Sequence, residues 1–222
     1  EEGRLREFMR QGASPLYVGR GDRPAGVIMV ADSLKPDSRA AVDYLKRMNL
    51  RVVMLTGDNA ATARHMAGEL HIDEVISDVL PDEKASHVMK MEERGDKVAM
   101  VGDGVNDAPA LACARVGISM KSGTELAMES SDIVLMKSNP AGVAEAVQLG
   151  RTTLLIIRQN LFWAFFYNII GIPLAAGCLY PAFGLTLNPM IAAGAMSLSS
   201  LCVVFNSLRL RGFTPRLGSL GK

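Results

Sequence analysis

From Gln159 to Leu208 the sequence contains no Asp, Glu, Lys or Arg. A soluble core rarely runs 50 residues without a charge, so a buried hairpin of an ordinary soluble protein is disfavoured here. Cysteine is scarce: Cys113, Cys178 and Cys202 are widely spaced and form no CxxC pair. That excludes a disulfide framework and a local zinc knuckle. A basic excess is missing too. The formal net charge is +1, which gives no footprint for a nucleic-acid partner. No signal peptide is visible, because residues 1–10 are charged and amphipathic. The first residue is not Met, and the expectation is a fragment or a processed piece.

Nearly all the charge lies before Arg158 or after Leu208, so the chain divides into a water-facing part and a lipid-facing part. In the former, short apolar runs alternate with amphipathic stretches. The strand candidates are Gly26–Val30, Arg51–Leu55, Glu74–Ser77, Lys97–Val101, Val116–Ser119 and Asp132–Met136. They read as continuous apolar runs, as parallel strands covered on both faces do. Between them, Asp37–Met48, Ala60–Leu70, Glu83–Arg94 and Thr124–Ser130 have helical patterning. This rhythm predicts an α/β fold with an open, doubly wound parallel sheet.

Ligands of such sheets gather outside the carboxyl ends of the strands. Two candidate strands end in polar clusters: Thr56-Gly57-Asp58-Asn59, and Gly102-Asp103-Gly104-Val105-Asn106-Asp107. A hydroxyl beside a glycine amide can cradle phosphate oxygens. Carboxylates four residues apart can hold Mg²⁺, which prefers oxygen ligands. Lys84, opening the helix after Pro81-Asp82-Glu83, offers a point charge to the same phosphate. Taken singly, each cluster has an ordinary reading: a capped turn, a solvated helix face, a tight loop. Their joint occurrence in this order, each at a strand end or a helix start, is what points to chemistry.

Met54–Asn59, Pro81–Lys84 and Val101–Leu111 (VGDGVNDAPAL) resemble the phosphorylation domain of P-type ATPases, a branch of the haloacid-dehalogenase superfamily. Asp32-Ser33-Leu34-Lys35-Pro36 resembles that family's hinge into the domain. The resemblance implies that Thr56 and Gly57 bind the transferred phosphoryl group and Lys84 contacts it. It also implies catalytic positions at Asp58 and Asn106, with Asp103 and Asp107 serving Mg²⁺. The family's nucleophile is an Asp in DKTGT, and no DKTG occurs here; the actuator TGE loop is absent as well. Gly123-Thr124-Glu125 shares only letters with that loop, in a different context. The expectation is half of a split site, inactive toward ATP by itself.

The charge-free run is long enough for two spanning helices of about 20 residues. They are expected near Leu161–Tyr180 and Pro189–Leu208, with a turn between them. Arg151, Arg158, Arg209, Arg211 and Arg216 flank both ends, which puts both ends on the cytoplasmic side. Asn160 and Tyr167 share a helix face, and so do Met196 and Ser200. Polar groups at membrane depth face a bundle interior or line a path. Helix-packing glue is the bland alternative, and it is favoured for Ser199, Gly194 and Ala195.

Asn160, Tyr167-Asn168 and Pro173, with Met196 and Ser199-Ser200, resemble the signature of copper(I)-transporting P-type ATPases. The resemblance implies that Tyr167, Asn168, Met196 and Ser200 belong to the intramembrane Cu⁺ sites. The family's Cys-Pro-Cys ligands would lie on an earlier helix. A thioether suits a soft monovalent ion, Cu⁺ or Ag⁺, and the acidic residue of zinc-type pumps is absent from these helices. Implied with it are ATP as substrate, the remaining pump domains, a lipid bilayer and a copper chaperone as partners. The expected division is 1–25 as the end of a nucleotide-binding domain, 26–150 as phosphorylation domain, 151–211 as two membrane helices and 212–222 as a cytoplasmic tail. A haloacid-dehalogenase phosphatase and a truncated, non-catalytic metal-binding membrane protein are the rivals.

Overall fold

In a computed structural model the described residues are 13–30, 34–35, 37–121, 123–137, 139–177, 180, 184 and 189–215, with Gly3 and Phe8 near the start. The chain divides into two compact units near residue 144, taken in turn below.

The first unit opens with a hairpin of β1 (Ser14–Arg20) and β2 (Arg23–Val30). Gly21, at φ 60°, makes the tight turn that lets the two strands pair antiparallel, Ser14 opposite Val30. The expectation for Gly26–Val30 is therefore corrected: it is a strand, but not one of the parallel set. A two-residue turn offers a partner at once, and the strand stays largely exposed, so its apolar run does not mark burial.

The parallel strands follow. α1 (Ser38–Arg47) leads to β3 (Val53–Leu55), α2 (Ala60–Leu70) to β4 (Glu74–Ile76), and α3 (Glu83–Glu93) to β5 (Ala99–Gly102). A 3₁₀ turn (Val105–Asp107) and α4 (Ala108–Cys113) lead to β6 (Val116–Met120), and α5 (Glu125–Glu129) to β7 (Ile133–Leu135). β3 pairs with β4, and β5 with β6 and β7, all in parallel. Among the described residues these are two separate ladders, with β3 and β5 each at an edge. The core is built of small and branched side chains where helices press on strands. Ala63, Ala67, Val88, Ala110, Leu111, Ile118 and Ala127 are buried. Alanine on the helix side permits the close approach that packing density rewards.

The second unit holds two long helices. α6 (Ala141–Ala175) begins 20 residues before the expected start, because nothing between Ala141 and Arg158 interrupts a helix. It ends earlier than expected at a left-handed Gly177, whose N–H bonds back to the Leu174 carbonyl. Ala141–Leu174 is long and apolar enough to cross a membrane. α7 (Pro189–Leu208) has the expected bounds and carries no charged residue. The turn expected between them lies largely outside the described residues.

Candidate functional site

The end of β3 is pinned on both sides. The Thr56 N–H donates to the Ile76 carbonyl at 3.0 Å, and the Thr56 carbonyl accepts from Val79 N–H at 3.1 Å. The Thr56 hydroxyl donates to Asp58 Oδ2 at 2.7 Å and accepts from Asp58 N–H at 3.1 Å. Gly57 passes close under Val79; a Cβ there would sit 3.2 Å from the Val79 carbonyl oxygen. Asn59 caps α2, its side chain accepting from Ala61 and Thr62 N–H at 3.0 Å each. Of the three polar residues, Asn59 is thus structural, and the half-buried Thr56 with the exposed Asp58 forms the polar turn.

Lys84 and Asp107 meet at the other strand end. Nζ donates to Asp107 Oδ1 at 2.7 Å, with side chains only 18% and 13% exposed. The second oxygen of Asp107 accepts from Gly104 N–H at 3.3 Å. Gly102 is required under this carboxylate, because a Cβ would lie 2.7 Å from that of Asp107. Asn106 is exposed in the 3₁₀ turn. The Asp103 carboxylate is also open, with Lys35 Nζ 4.0 Å away, while its carbonyl accepts from Thr124 N–H at 3.0 Å. Gly123-Thr124-Glu125 therefore lies against the Asp103 backbone, and Thr124 caps α5. Lys35 is a neighbour that the sequence reading placed in a hinge without a role.

The two clusters are linked by one segment. Val79 bonds Thr56, and Leu80 N–H donates to Glu83 in the first turn of α3, one residue before Lys84. Side-chain hydrogen bonds join Thr56 to Asp58 and Lys84 to Asp107, and among the described residues no side-chain hydrogen bond or ion pair joins the one pair to the other. Among the described residues no group of three or more His, Cys, Asp or Glu could hold a metal by itself.

In the second unit the helices meet along a seam. The half-buried positions of α6 include Asn160, Ala164, Tyr167, Gly171 and Leu174, and those of α7 include Ser199, Val203 and Asn206, followed by Leu210. Spacings of four and three are those of a coiled-coil stripe. Asn160 bonds Asn206 and Ser207, while seven residues on, Cys202 lies beside the Tyr167 hydroxyl. The helices therefore run antiparallel. Tyr167 is on the seam, whereas Asn168 and Ser200 are exposed. Each follows a seam residue by one position, and on antiparallel helices that step leads to the same side of the pair. The Met196 side chain lies outside the described residues. Phe162, Trp163, Phe166 and Tyr167 stack along α6 with ring centroids 5.4–6.2 Å apart.

A further polar group completes the seam: Gln159, Asn206 and Ser207, to which the sequence assigns no role, and Arg209, which it marks only as a flanking charge. The signal was present, since amides are rare in so apolar a run.

A family model described as haloacid dehalogenase-like hydrolase matches residues 1–115, and a second of the same description matches 84–147. The copper-exporting P-type ATPase of Vibrio cholerae is 49% identical over 210 residues, 95% of this chain and 23% of the relative. The probable copper-transporting ATPase PacS of Synechococcus elongatus is 53% identical over 205 residues, 92% of this chain and 27% of the relative. The solved structure of a zinc-transporting PIB-type ATPase in an E2.Pi state aligns with a TM-score of 0.79 at 33% identity, covering 94% of this chain and 33% of that one. The chain thus spans about a quarter of the length of the curated relatives it matches. It belongs to the haloacid dehalogenase-like hydrolase family, and its similarity to copper-transporting P-type ATPases takes in the parallel strands and the long apolar helices alike.

Proposed function

We propose that this chain is part of an ATP-driven pump that exports Cu(I) across a membrane. In that role it carries half of the phosphorylation site and part of the intramembrane metal site. The observation that carries the reading is the continuity of the two. A Lys–Asp pair beside an exposed carboxylate, past the carboxyl end of a parallel strand, is followed later in the chain by a helix pair that is charge-free from Gln159 to Leu208 and carries polar residues on its seam.

Phosphoryl transfer is mostly positioning and charge neutralisation. Thr56 and Gly57 receive the phosphoryl oxygens, and Lys84 and Asn106 contact them. Asp107, held by Lys84 and Gly104 N–H, sets the ammonium and the loop. Asp103 is the exposed carboxylate, with Lys35 at 4.0 Å, and it would take a hard cation in exchange for that ammonium, so its oxygens fit Mg²⁺ together with others from phosphoryl group and water. Bound there, Mg²⁺ neutralises phosphoryl charge. The acceptor Asp is supplied from elsewhere; among the described residues β3 and β5 are edge strands, so a further strand can pair with either.

In the membrane, Tyr167, Asn168, Met196 and Ser200 are the proposed Cu⁺ donors. The shared open side of Asn168 and Ser200 supports the grouping, and it is the side on which the rest of the pump would add its ligands. The absence of any carboxylate from Gln159 to Leu208 favours a soft cargo, Cu⁺ or Ag⁺, over the zinc of the structural relative. Both chain ends are placed in the cytoplasm by the flanking arginines. The actuator, nucleotide-binding and earlier membrane segments, the bilayer and a copper chaperone are the partners. In the full-length parent, Asp103→Asn is expected to abolish phosphorylation by ATP while leaving the circular-dichroism spectrum unchanged. Full phosphorylation in that variant would refute the site.

A further inference from the structure

The cytoplasmic end of the helix seam holds a chain of hydrogen bonds with one possible direction. Arg209 has only donors, so its Nη1 must donate to Asn206 Oδ1, 2.9 Å away. That turns the Asn206 amide toward α6, where Nδ2 donates to Asn160 Oδ1 at 2.8 Å. Asn160 Nδ2 is then turned to Ser207 Oγ, at 2.9 Å. Gln159 Oε1 accepts from Asn206 and Arg209 at 3.4 and 3.5 Å. Every amide orientation follows from one guanidinium, and bonds in such a chain polarise one another.

We infer that this Arg209–Asn206–Asn160–Ser207 relay is a register clamp that positions the intramembrane metal residues. Its geometry supplies the reason. Tyr167 stands seven residues beyond Asn160 on α6, and Ser200 seven residues before Ser207 on α7. Seven residues are two turns, about 10 Å of rise, on each helix. A bond from Asn160 to Ser207 therefore levels Tyr167 with Ser200 across an antiparallel seam. Beyond the clamp the seam alternates Tyr167, packed beside Cys202, with the small side chains of Ala164, Gly171 and Ser199, and small side chains at a helix contact permit sliding or rotation. Directional bonds at one end remove that freedom. Partners that orient metal ligands in this way govern affinity without touching the metal. The inference rests on the proposed Cu⁺ site, and one arm of its test does not.

The test uses the full-length parent pump. In a background without native cysteines, Ala164→Cys and Val203→Cys occupy half-buried seam positions one turn inward from Asn160 and Ser207. Their disulfide cross-linking yield reads the register without copper. Cu⁺ binding is measured separately in the cysteine-containing pump, by competition with a chromogenic Cu⁺ chelator. Phosphorylation by inorganic phosphate, with Mg²⁺ present and Cu⁺ absent, serves as the folding control. Asn160→Ala is expected to lower cross-linking and to weaken Cu⁺ binding about tenfold, with phosphorylation by phosphate retained. The exchange Asn160→Ser with Ser207→Asn, which restores an amide–hydroxyl bond across the seam, should recover both. Unchanged cross-linking in Asn160→Ala, or no recovery in the exchange, overturns the clamp. A parent that binds no Cu⁺ but whose cross-linking still depends on Asn160 sinks the copper reading and leaves the clamp standing.

Discussion

Lys84 and Asp107 are both largely shielded from water, and each is tolerable there because of the other. Removing Lys84 leaves the desolvated Asp107 carboxylate with the Gly104 N–H as its remaining hydrogen-bond partner among the described residues, and removing Asp107 leaves the ammonium without its carboxylate. Lys84→Met should therefore destabilise the first unit by roughly 1–3 kcal/mol, the range for losing a charged hydrogen bond. Urea denaturation of the soluble region checks this. The double variant Lys84→Met with Asp107→Asn should cost less than the sum of the two singles, because the residues are coupled. Additive costs would mean that the pair is not an energetic unit. Gly102→Ala tests the same spot from below. Its methyl would enter the space of the Asp107 side chain, and overpacking of that kind costs about 1–3 kcal/mol. At this scale the motifs were legible, since Thr56, Lys84, Asp103 and Asp107 stand at strand ends and a helix start as the sequence implied. The choice of partner was not. Nothing in a linear string says that Asp107 is spent on Lys84 while Asp103 stays open, or that Lys35 reaches toward Asp103.

The four helices expected in the first unit lie within a residue or two of their expected bounds, because each opens or closes with a local signal such as the Asn59 cap, whereas the short α4 (Ala108–Cys113) has no helical expectation in the sequence. The hairpin and the start of α6 were misread for the complementary reason. An apolar run states its hydrophobicity but not its partner, and a helix that passes from water toward lipid needs no cap at the boundary. Packing between helices was invisible as well. α1 and α2 are clasped at the surface, with Arg39 donating to His71 Nε2 and His71 Nδ1 donating to Asp43 Oδ1 at 3.0 Å. That bond from His71 holds the Asp43 carboxyl below its ordinary value of 3.8, aided by the charges of Arg39 and Arg47. A carboxylate with a lowered folded value contributes its stability above the ordinary value and loses it as pH falls through the lowered one. Both groups are exposed, so the effect on stability is small, and it is the titration itself that is diagnostic. The Asp43 carboxyl carbon should titrate below 3.8 by NMR and return to the ordinary range in His71→Ala. An unmoved titration would show that the clasp is not formed in solution.

On the scale of the whole molecule, the proposed half-site for phosphate and the proposed half-site for a soft metal lie on one chain, the first in the charged part and the second in the charge-free run. Topology is checked with single cysteines in the cysteine-free parent. One at position 186 should react with an impermeant thiol reagent only from the side opposite the cytoplasm, and one at position 138 only from the cytoplasm. Reaction of both from one side would refute the hairpin. The chain alone, lacking a DKTGT segment, should form no acid-stable acyl phosphate with ATP and Mg²⁺. The most direct test of the central claim uses the two ways of phosphorylating the full-length parent. Met196→Leu keeps size and hydrophobicity and removes the thioether, so packing should change little. The account predicts that Cu⁺ no longer stimulates phosphorylation by ATP in this variant. Phosphorylation by inorganic phosphate with Mg²⁺ and without Cu⁺, which uses Thr56, Lys84 and Asp103, should proceed as in the parent. Cu⁺-stimulated phosphorylation equal to that of the parent would contradict the assignment of Met196, and with it the soft-metal site at the centre of the proposed pump.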